Sequence, residues 1–400
     1  MTKTMKEWFF MREGFETFRL QPEKHSRYLF GEKDNQHRDR LLESLQEAAY
    51  SRDGHKAAVY GDYGRGKTHL CHNVIYEISK RALPFVPVYF KCGAFKKKEA
   101  FSSLFREMVF RHTSDQLNEV ATEYEQRVRS GTAQGLNEIV ASEDISRVMS
   151  KGLTAPNPDA VKVSMRWLGG EPKIDLTYLG GSLKPQLADP DDFGSVMRGL
   201  SHMFLEVREQ VPVYIIDEAE RFENITDPDT FFGWLACIRE LTELPNIGMI
   251  MMIGAKTRDE LPTIFVQDEI IRRIGAANYV ELQNPGQEAI RSFLLEQLQT
   301  SIRKGPVPEA QIEAVDSSAL DDEVPQELLD ITGNDDMRLQ MYPFAPDAFD
   351  EFVQQISIGE RSNKPSEAQL RLQKSAQRAM RLNQRMITPD IVEAVGNEGF

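Results

Sequence analysis

Long hydrophobic runs are missing from this chain. Its longest apolar stretches, near residues 211–216 and 249–254, fall far short of the roughly 20 residues a bilayer-spanning helix needs, so no membrane contact is expected. The N-terminus, MTKTMKEWFFMREGF, has no sustained apolar core, and no signal peptide is expected. Cysteine is scarce. Cys71, Cys92 and Cys237 are odd in number and widely spaced, which argues against a disulfide framework or a zinc site and for reduced thiols in a cytoplasmic protein. His69 and His72 fall on one helical pattern, but no third or fourth metal ligand lies near them in the sequence. An excess of positive charge is absent too. Lys and Arg number 48 against 62 Asp and Glu, a net charge of −14. That excludes a generally basic nucleic-acid coat, though not a local basic patch. Internal repeats and low-complexity segments are also lacking.

What is present centres on GDYGRGKT, residues 61–68, which fits the phosphate-cradling pattern G-x-x-x-x-G-K-[ST]. An apolar, strand-like stretch, Ala57-Ala58-Val59-Tyr60, precedes it, and Leu70, Val74 and Ile78 follow at four-residue spacing. This is the strand–loop–helix context the motif requires. Glycines at Gly61, Gly64 and Gly66 permit positive φ and close backbone approach, so the N–H groups of Asp62, Tyr63, Arg65 and their neighbours can turn toward phosphate oxygens. The new helix adds its positive end. Lys67 would reach the β- and γ-phosphates, Thr68 would bind Mg²⁺, and His69 completes the run taken as nucleotide-binding. The bland alternative is a glycine turn that binds nothing.

Four further apolar runs, at 85–90, 213–216, 249–253 and 279–282, alternate with helical patterns. Continuous apolar strands separated by helices predict a parallel five-stranded αβα sandwich. Helices are expected at 36–50, 101–109, 191–209 and 228–244, the last with Asp227 as N-cap and Pro228 in its first turn. The boundaries expected are an N-terminal strap and helix at 1–55, a core at 56–285, and a helical domain at 286–400. Aromatic points at Phe15, Phe18 and Phe30 suit a strap packed on the fold.

More than a hundred residues separate the second and third strands, so 113–190 reads as an insertion. Within it, VKVSMRWL and IDLTYL flank GGEPK and alternate with period two, predicting a β-hairpin at 161–179. Beyond Pro285 the pattern is helical, with helices at 289–302 and 349–358. Another is opened by a Ser366/Gln369 capping box, and a last one by Thr388-Pro389.

The third strand ends VYIIDEAE. Asp217, at the carboxyl end of a parallel strand, sits where open sheets bind ligands and can hold Mg²⁺ through water. Glu218 beside it can orient and deprotonate an attacking water. Charge neutralisation, positioning and a base are what phosphoryl transfer needs. Neither a guanine-reading Asn-Lys-x-Asp, since Asn363-Lys364 runs into Pro365-Ser366, nor a Leu-Ser-Gly-Gly-Gln transporter signature is present.

GDYGRGKT, IIDEAE and IIRRIGAANYVELQNP, ahead of a helical segment ending ITPDIVEAV, together resemble an AAA+ ATPase. The likeness covers about residues 15–110 and 190–395. It is nearest to the origin-recognition and initiator subfamily and the transposition regulator ATPases, and the loop is also similar to ATPases of BREX-type phage defence. The resemblance implies ATP with Mg²⁺, a helical lid, and a homo-oligomer whose active sites lie between subunits. It also implies a DNA-associated switch or loader that recruits a protein partner, with DNA as a further partner. The alternative is a signalling or defence ATPase that scaffolds an effector without touching DNA. By position it assigns Thr257, in Gly254-Ala255-Lys256-Thr257, to water positioning. Arg273, beside Arg272, becomes the finger reaching a neighbour's γ-phosphate, and Arg371 the lid arginine. Initiators usually carry a winged helix after the lid. This chain reaches Phe400 directly, so nucleic-acid contact is expected from Lys96, Lys97 and Lys98, or from the hairpin near Lys162 and Arg166. Three adjacent lysines are also what any solvated face carries.

Overall fold

The structure, a computed structural model, describes residues 3–93, 100–180, 183–224, 228–304, 323–358 and 363–398. Lys96, Lys97, Lys98 and Asp227 therefore lie outside the described residues. The chain divides into two compact units, one formed by residues 40–61 and 77–281, the other by 1–39, 62–76 and 282–400.

The first unit is built on a parallel sheet, β1 (Lys56–Gly61), β2 (Phe85–Lys91), β3 (Val211–Asp217), β4 (Gly248–Gly254) and β5 (Tyr279–Glu281). The spatial order is β2-β3-β4-β1-β5. All four strand pairings are parallel, with Gly61 opposite Gly254 and Lys91 opposite Asp217. The five-stranded parallel sheet expected from the apolar runs is thus the one observed. Strand side chains alternate between faces. Ala58, Tyr60, Val88, Phe90, Tyr214, Ile216, Met249, Met251 and Ile253 join one continuous core. Ala57, Val59, Val213, Ile215, Ile250 and Met252 are buried on the opposite face. There a Cβ on Gly248 would press on Leu45, one of the apolar side chains of the long helix Glu32–Ser51.

In chain order the helices are α1 (Met5–Trp8), α2 (Glu32–Ser51), α3 (Lys67–Lys80), α4 (Ala100–Phe110), α5 (Ser114–Arg129), α6 (Leu136–Ile139), α7 (Glu143–Arg147), α8 (Pro158–Leu168), α9 (Pro190–Arg208), α10 (Pro228–Glu243) and α11 (Asp268–Ile274). They continue with α12 (Gln287–Ser301), α13 (Gln326–Thr332), α14 (Asp336–Met341), α15 (Ala348–Ile356), α16 (Pro365–Arg381) and α17 (Pro389–Asn397).

The segment between β2 and β3 does not stand off from the sheet. Leu117, Val120, Ala121 and Tyr124 of α5, spaced as one helical face, are buried in the same core as the strands. The predicted hairpin at 161–179 is not formed. Residues 158–168 are the helix α8, and 176–179 a single 3₁₀ turn. Ala160, Val161, Ser164, Met165, Trp167 and Leu168 are buried, a spacing of three to four that overrides the local period of two. The start signals are also helical: the Asn157 side chain caps the Asp159 amide, and Pro158 occupies the first turn. Gly169 and Gly170 end the helix, the latter at φ +69°. Lys162 and Arg166 consequently lie on a helix, Arg166 paired with Glu171 at 2.5 Å.

Two buried histidines make this unit acid-sensitive. His112, 1% exposed, meets the Tyr214 hydroxyl at 3.0 Å, and His55 is 8% exposed. Burial pushes each imidazole down to about 4. Unfolded chain binds these protons near pH 6.5, so their stabilising contribution is complete above that value and is lost as pH falls toward 4. The loss is about 3 kcal/mol per histidine. Urea titrations at a series of pH values should show the midpoint falling over this window, and His112→Gln should flatten the slope. A midpoint indifferent to pH between 6.5 and 4 would contradict the assignment.

In the second unit the aromatic N-terminal segment is part of a core rather than a cover. Phe9, Phe10, Phe15, Phe18, Tyr28 and Phe30 are buried together with Phe293, Leu298, Tyr342, Phe349, Leu372 and Val392 from the C-terminal helices. Phe9 meets Phe18 edge-on at 5.6 Å, and Phe15 stacks on His25 at 5.5 Å. Each such side chain contributes about 1.5–3 kcal/mol by leaving water. The capping box predicted at Ser366 is also absent. The helix starts at Pro365 with Lys364 as N-cap and no side-chain cap bond, while the Ser366 amide donates to the Gly64 carbonyl at 3.2 Å. Gln369 instead hydrogen-bonds Gln297 at 3.3 Å.

Candidate functional site

Sheet register brings two of the sequence-predicted elements to one edge. β1 ends at Gly61 and β3 at Asp217, both at the carboxyl-terminal edge, with β4 between them. That is the edge where open parallel sheets receive ligands.

Downstream of Gly61 the chain turns through Asp62–Gly66 into α3. Gly64 sits at φ +80° and Gly66 at φ +105°, the left-handed region that glycine enters without strain. Gly64 is also crowded, since a Cβ there would collide with the Ser366 hydroxyl. The Lys67 ammonium donates to the Asp62 carbonyl at 3.0 Å and lies 5.5 Å from the centre of the Tyr63 ring. Tyr63 itself is 65% exposed. Asp62 accepts from the Tyr63 amide at 2.7 Å through one carboxylate oxygen. Its other oxygen pairs with Lys364 at 2.7 Å. Arg65 is buried and ion-paired to Asp34. Thr68 lies in the first turn of α3. His69 is turned away from a ligand role by its contact: its Nε2 is bonded to the Tyr28 carbonyl, and burial holds the ring below the ordinary imidazole range. Asn73 similarly donates to the Ser26 carbonyl at 2.7 Å.

At the end of β3, Asp217 is 1% exposed. It accepts from the Tyr89 hydroxyl at 3.0 Å and from the Glu218 amide at 3.0 Å, so its carboxylate is oriented from both sides. Glu218 adopts φ +59°, a conformation that costs energy for a residue with a Cβ. Its carboxylate is ion-paired with Arg221 and lies 3.8 Å from the Lys91 ammonium. Glu220 accepts from the Gly254 amide at 2.7 Å, tying the acidic turn to the end of β4. Beyond that end, the Lys256 amide donates to Glu260 at 2.8 Å, and Thr257 is exposed just before the 3₁₀ turn Arg258–Glu260.

The remaining predicted residues are placed as follows. Arg273 is held between Glu243 and Glu269 on its own chain, whereas Arg272 is exposed. Arg371 pairs with Glu367 at 2.8 Å one turn back on α16. Lys364, just before α16, is the residue whose ammonium reaches the glycine loop, through Asp62. Sequence reading missed Lys364, Asp34, Tyr89, Lys91 and Arg221. Only Lys91, at the end of a strand, and Arg221, three residues after Glu218, carried any local signal. Among the described residues no cluster of His, Cys, Asp and Glu could hold a metal by itself, and no helix is long and apolar enough to cross a membrane. Cys71 and Cys92 are buried.

No protein-family model matches the chain, and no curated protein matches it. Among solved structures it is similar to the ORC1 protein of Aeropyrum pernix in complex with DNA. The TM-score is 0.45 at 12% identity, covering 92% of this chain and 66% of that one. It is also similar to Drosophila ORC bound to DNA, with TM-score 0.45, 9% identity, and 94% and 65% covered. A third likeness is to domain III of the Thermotoga maritima replication initiation protein DnaA, with TM-score 0.42, 12% identity, and 95% and 98% covered. The chain thus spans just under two thirds of the length of the ORC proteins it resembles.

Proposed function

We propose that this chain binds ATP with Mg²⁺ and hydrolyses it, and that it acts as an oligomer in a DNA-associated switch or loader that recruits a partner protein. The observation that carries the reading is the shared sheet edge. There β1 opens into a glycine loop with two left-handed glycines and a helix starting at Lys67, and β3 ends in an oriented Asp217 and a strained Glu218. Amides of the loop suit phosphate oxygens. Lys67 can exchange the Asp62 carbonyl for the β- and γ-phosphates. Thr68 and Asp217 supply the hard oxygen donors that Mg²⁺ prefers, and the ion would neutralise phosphate charge. Glu218 takes the proton of the attacking water. Thr257 is the candidate for positioning that water, and Arg371 belongs to the lid. Arg273 is the candidate finger for a neighbouring subunit, which requires it to leave Glu243 and Glu269.

With a net charge of −14, an isolated subunit is a poor ligand for a polyanion. An oligomer aligning one basic patch per subunit is a better one, and Lys96, Lys97 and Lys98 are the sequence candidates. The test is fluorescence anisotropy of a labelled duplex over a salt series, with ATP and the Glu218→Gln protein. Binding should require ATP. Its log affinity should fall against log salt with a slope of about 0.9 per phosphate neutralised, and it should weaken when the three lysines become alanine. Absence of binding at low salt would overturn the DNA part and leave the protein-scaffold reading.

A further inference from the structure

Arg65 is the charged residue in the middle of the phosphate loop, yet its side chain is not presented to a ligand. It is 4% exposed. Its Nη1 and Nη2 donate to the two carboxylate oxygens of Asp34 at 2.9 and 2.6 Å, and its Nε donates to the Gln283 carbonyl at 2.5 Å. The whole fork of the guanidinium is therefore engaged, in the bidentate geometry that lysine cannot reproduce. Asp34 stands in the first turn of α2, and Gln283 lies two residues past β5. Arg65 is flanked by Gly64 and Gly66 at φ +80° and +105°, the residues with the most backbone freedom to lose. A loop with a glycine on each side of one residue has no stiffness of its own. Where its amides point is set by what holds that residue, together with the bonds that the Gly64 carbonyl accepts from Ser366 and the Asp62 carbonyl accepts from Lys67.

We propose that Asp34, through Arg65, is a positioning residue for phosphate binding. The clasp fixes the loop between its two glycines, so that the amides leading into α3 are already directed toward an anion before it arrives. This rests on the nucleotide reading above and deepens it. Preorganisation of this kind affects ground-state and transition-state binding alike. Asp34→Asn, which keeps the size and one acceptor but loses the charge and the second acceptor, should raise the KM for ATP by about tenfold with kcat at saturating ATP unchanged. Asp34→Glu should recover part of that loss. A merely structural role would lower the amount of active protein and hence the apparent kcat, leaving KM in place.

Amide hydrogen exchange without nucleotide provides a second readout. In Asp34→Asn, and independently in Arg65→Lys, the amides of residues 64–70 should exchange faster, while those of the β3 strand remain protected. Raised KM together with faster loop exchange supports the clasp. Parent KM and parent exchange in Asp34→Asn overturn it. If the parent protein itself binds no ATP, the nucleotide reading fails, and loop exchange alone decides whether Asp34 sets the loop.

Discussion

Glu218→Gln should retain ATP at the parent affinity while turnover falls by about 10²–10⁴-fold, the usual contribution of a positioned general base. The glutamine keeps the length of the side chain and a hydrogen-bonding oxygen but cannot accept a proton. The backbone at residue 218, already in the left-handed region, has no reason to move. Binding should survive because Glu218 stands at the end of β3 among Lys91 and Arg221, whereas ground-state phosphate contacts are assigned to the loop and Lys67. Steady-state hydrolysis of Mg-ATP, paired with titration of a fluorescent nucleotide, separates the two quantities. Parent-like turnover would remove the base assignment from Glu218 and direct attention to Glu220, whose carboxylate reaches the end of β4.

Lys67→Ala should do the opposite, with affinity going first. A charge-assisted hydrogen bond from an ammonium to phosphate is worth about 1.5–3 kcal/mol, so ATP binding should weaken by roughly 10- to 100-fold, and hydrolysis should disappear with it. Within the protein Lys67 makes a hydrogen bond to the Asp62 carbonyl of the same loop, so its loss should leave the fold intact by circular dichroism. If a folded Lys67→Ala protein binds ATP as tightly as the parent, the glycine loop does not cradle phosphates.

The parts of the fold that could be read in advance are those in which chemistry and spacing are local. Residues 61–68 announce themselves because glycine enters without strain the φ values that Gly64 and Gly66 adopt. The strands β1, β3 and β4 are nearly uninterrupted apolar runs, as burial on both faces demands. The error at 161–179 arose where two periods coexist. Val161, Val163, Met165 and Trp167 alternate, but Val161, Ser164, Met165 and Leu168 also share a helical face, and the Asn157-Pro158-Asp159 start signal decides for the helix. The Ser366 capping box failed for a different reason, since its amide is used by the distant Gly64 carbonyl. Around the candidate site, Asp34, Lys364 and Tyr89 were illegible because each acts across a long stretch of chain. Asp34 reads locally as an acid suited to a helix N-terminus, and Lys364 as a lysine before a proline.

The core shared by the first and last segments of the chain sets an order of assembly. Trp8 donates to the Gln384 carbonyl at 3.1 Å, and Phe18 accepts from Gln297 at 2.6 Å through its own carbonyl. The first bond needs residue 384 and the second residue 297, and both lie beyond the last residue of the sheet-bearing unit. Residues 40–61 and 77–281 contain every strand of the sheet and are complete before either partner residue is made. Because domains fold as units while the chain emerges at about 5–20 residues per second, the sheet should consolidate while the aromatic N-terminus is still waiting for its helices. The phosphate loop belongs to the late unit. The nascent protein therefore passes through a stage in which the strand leading to Asp217 and Glu218 is complete but Lys364 has not yet been made for the loop to settle against.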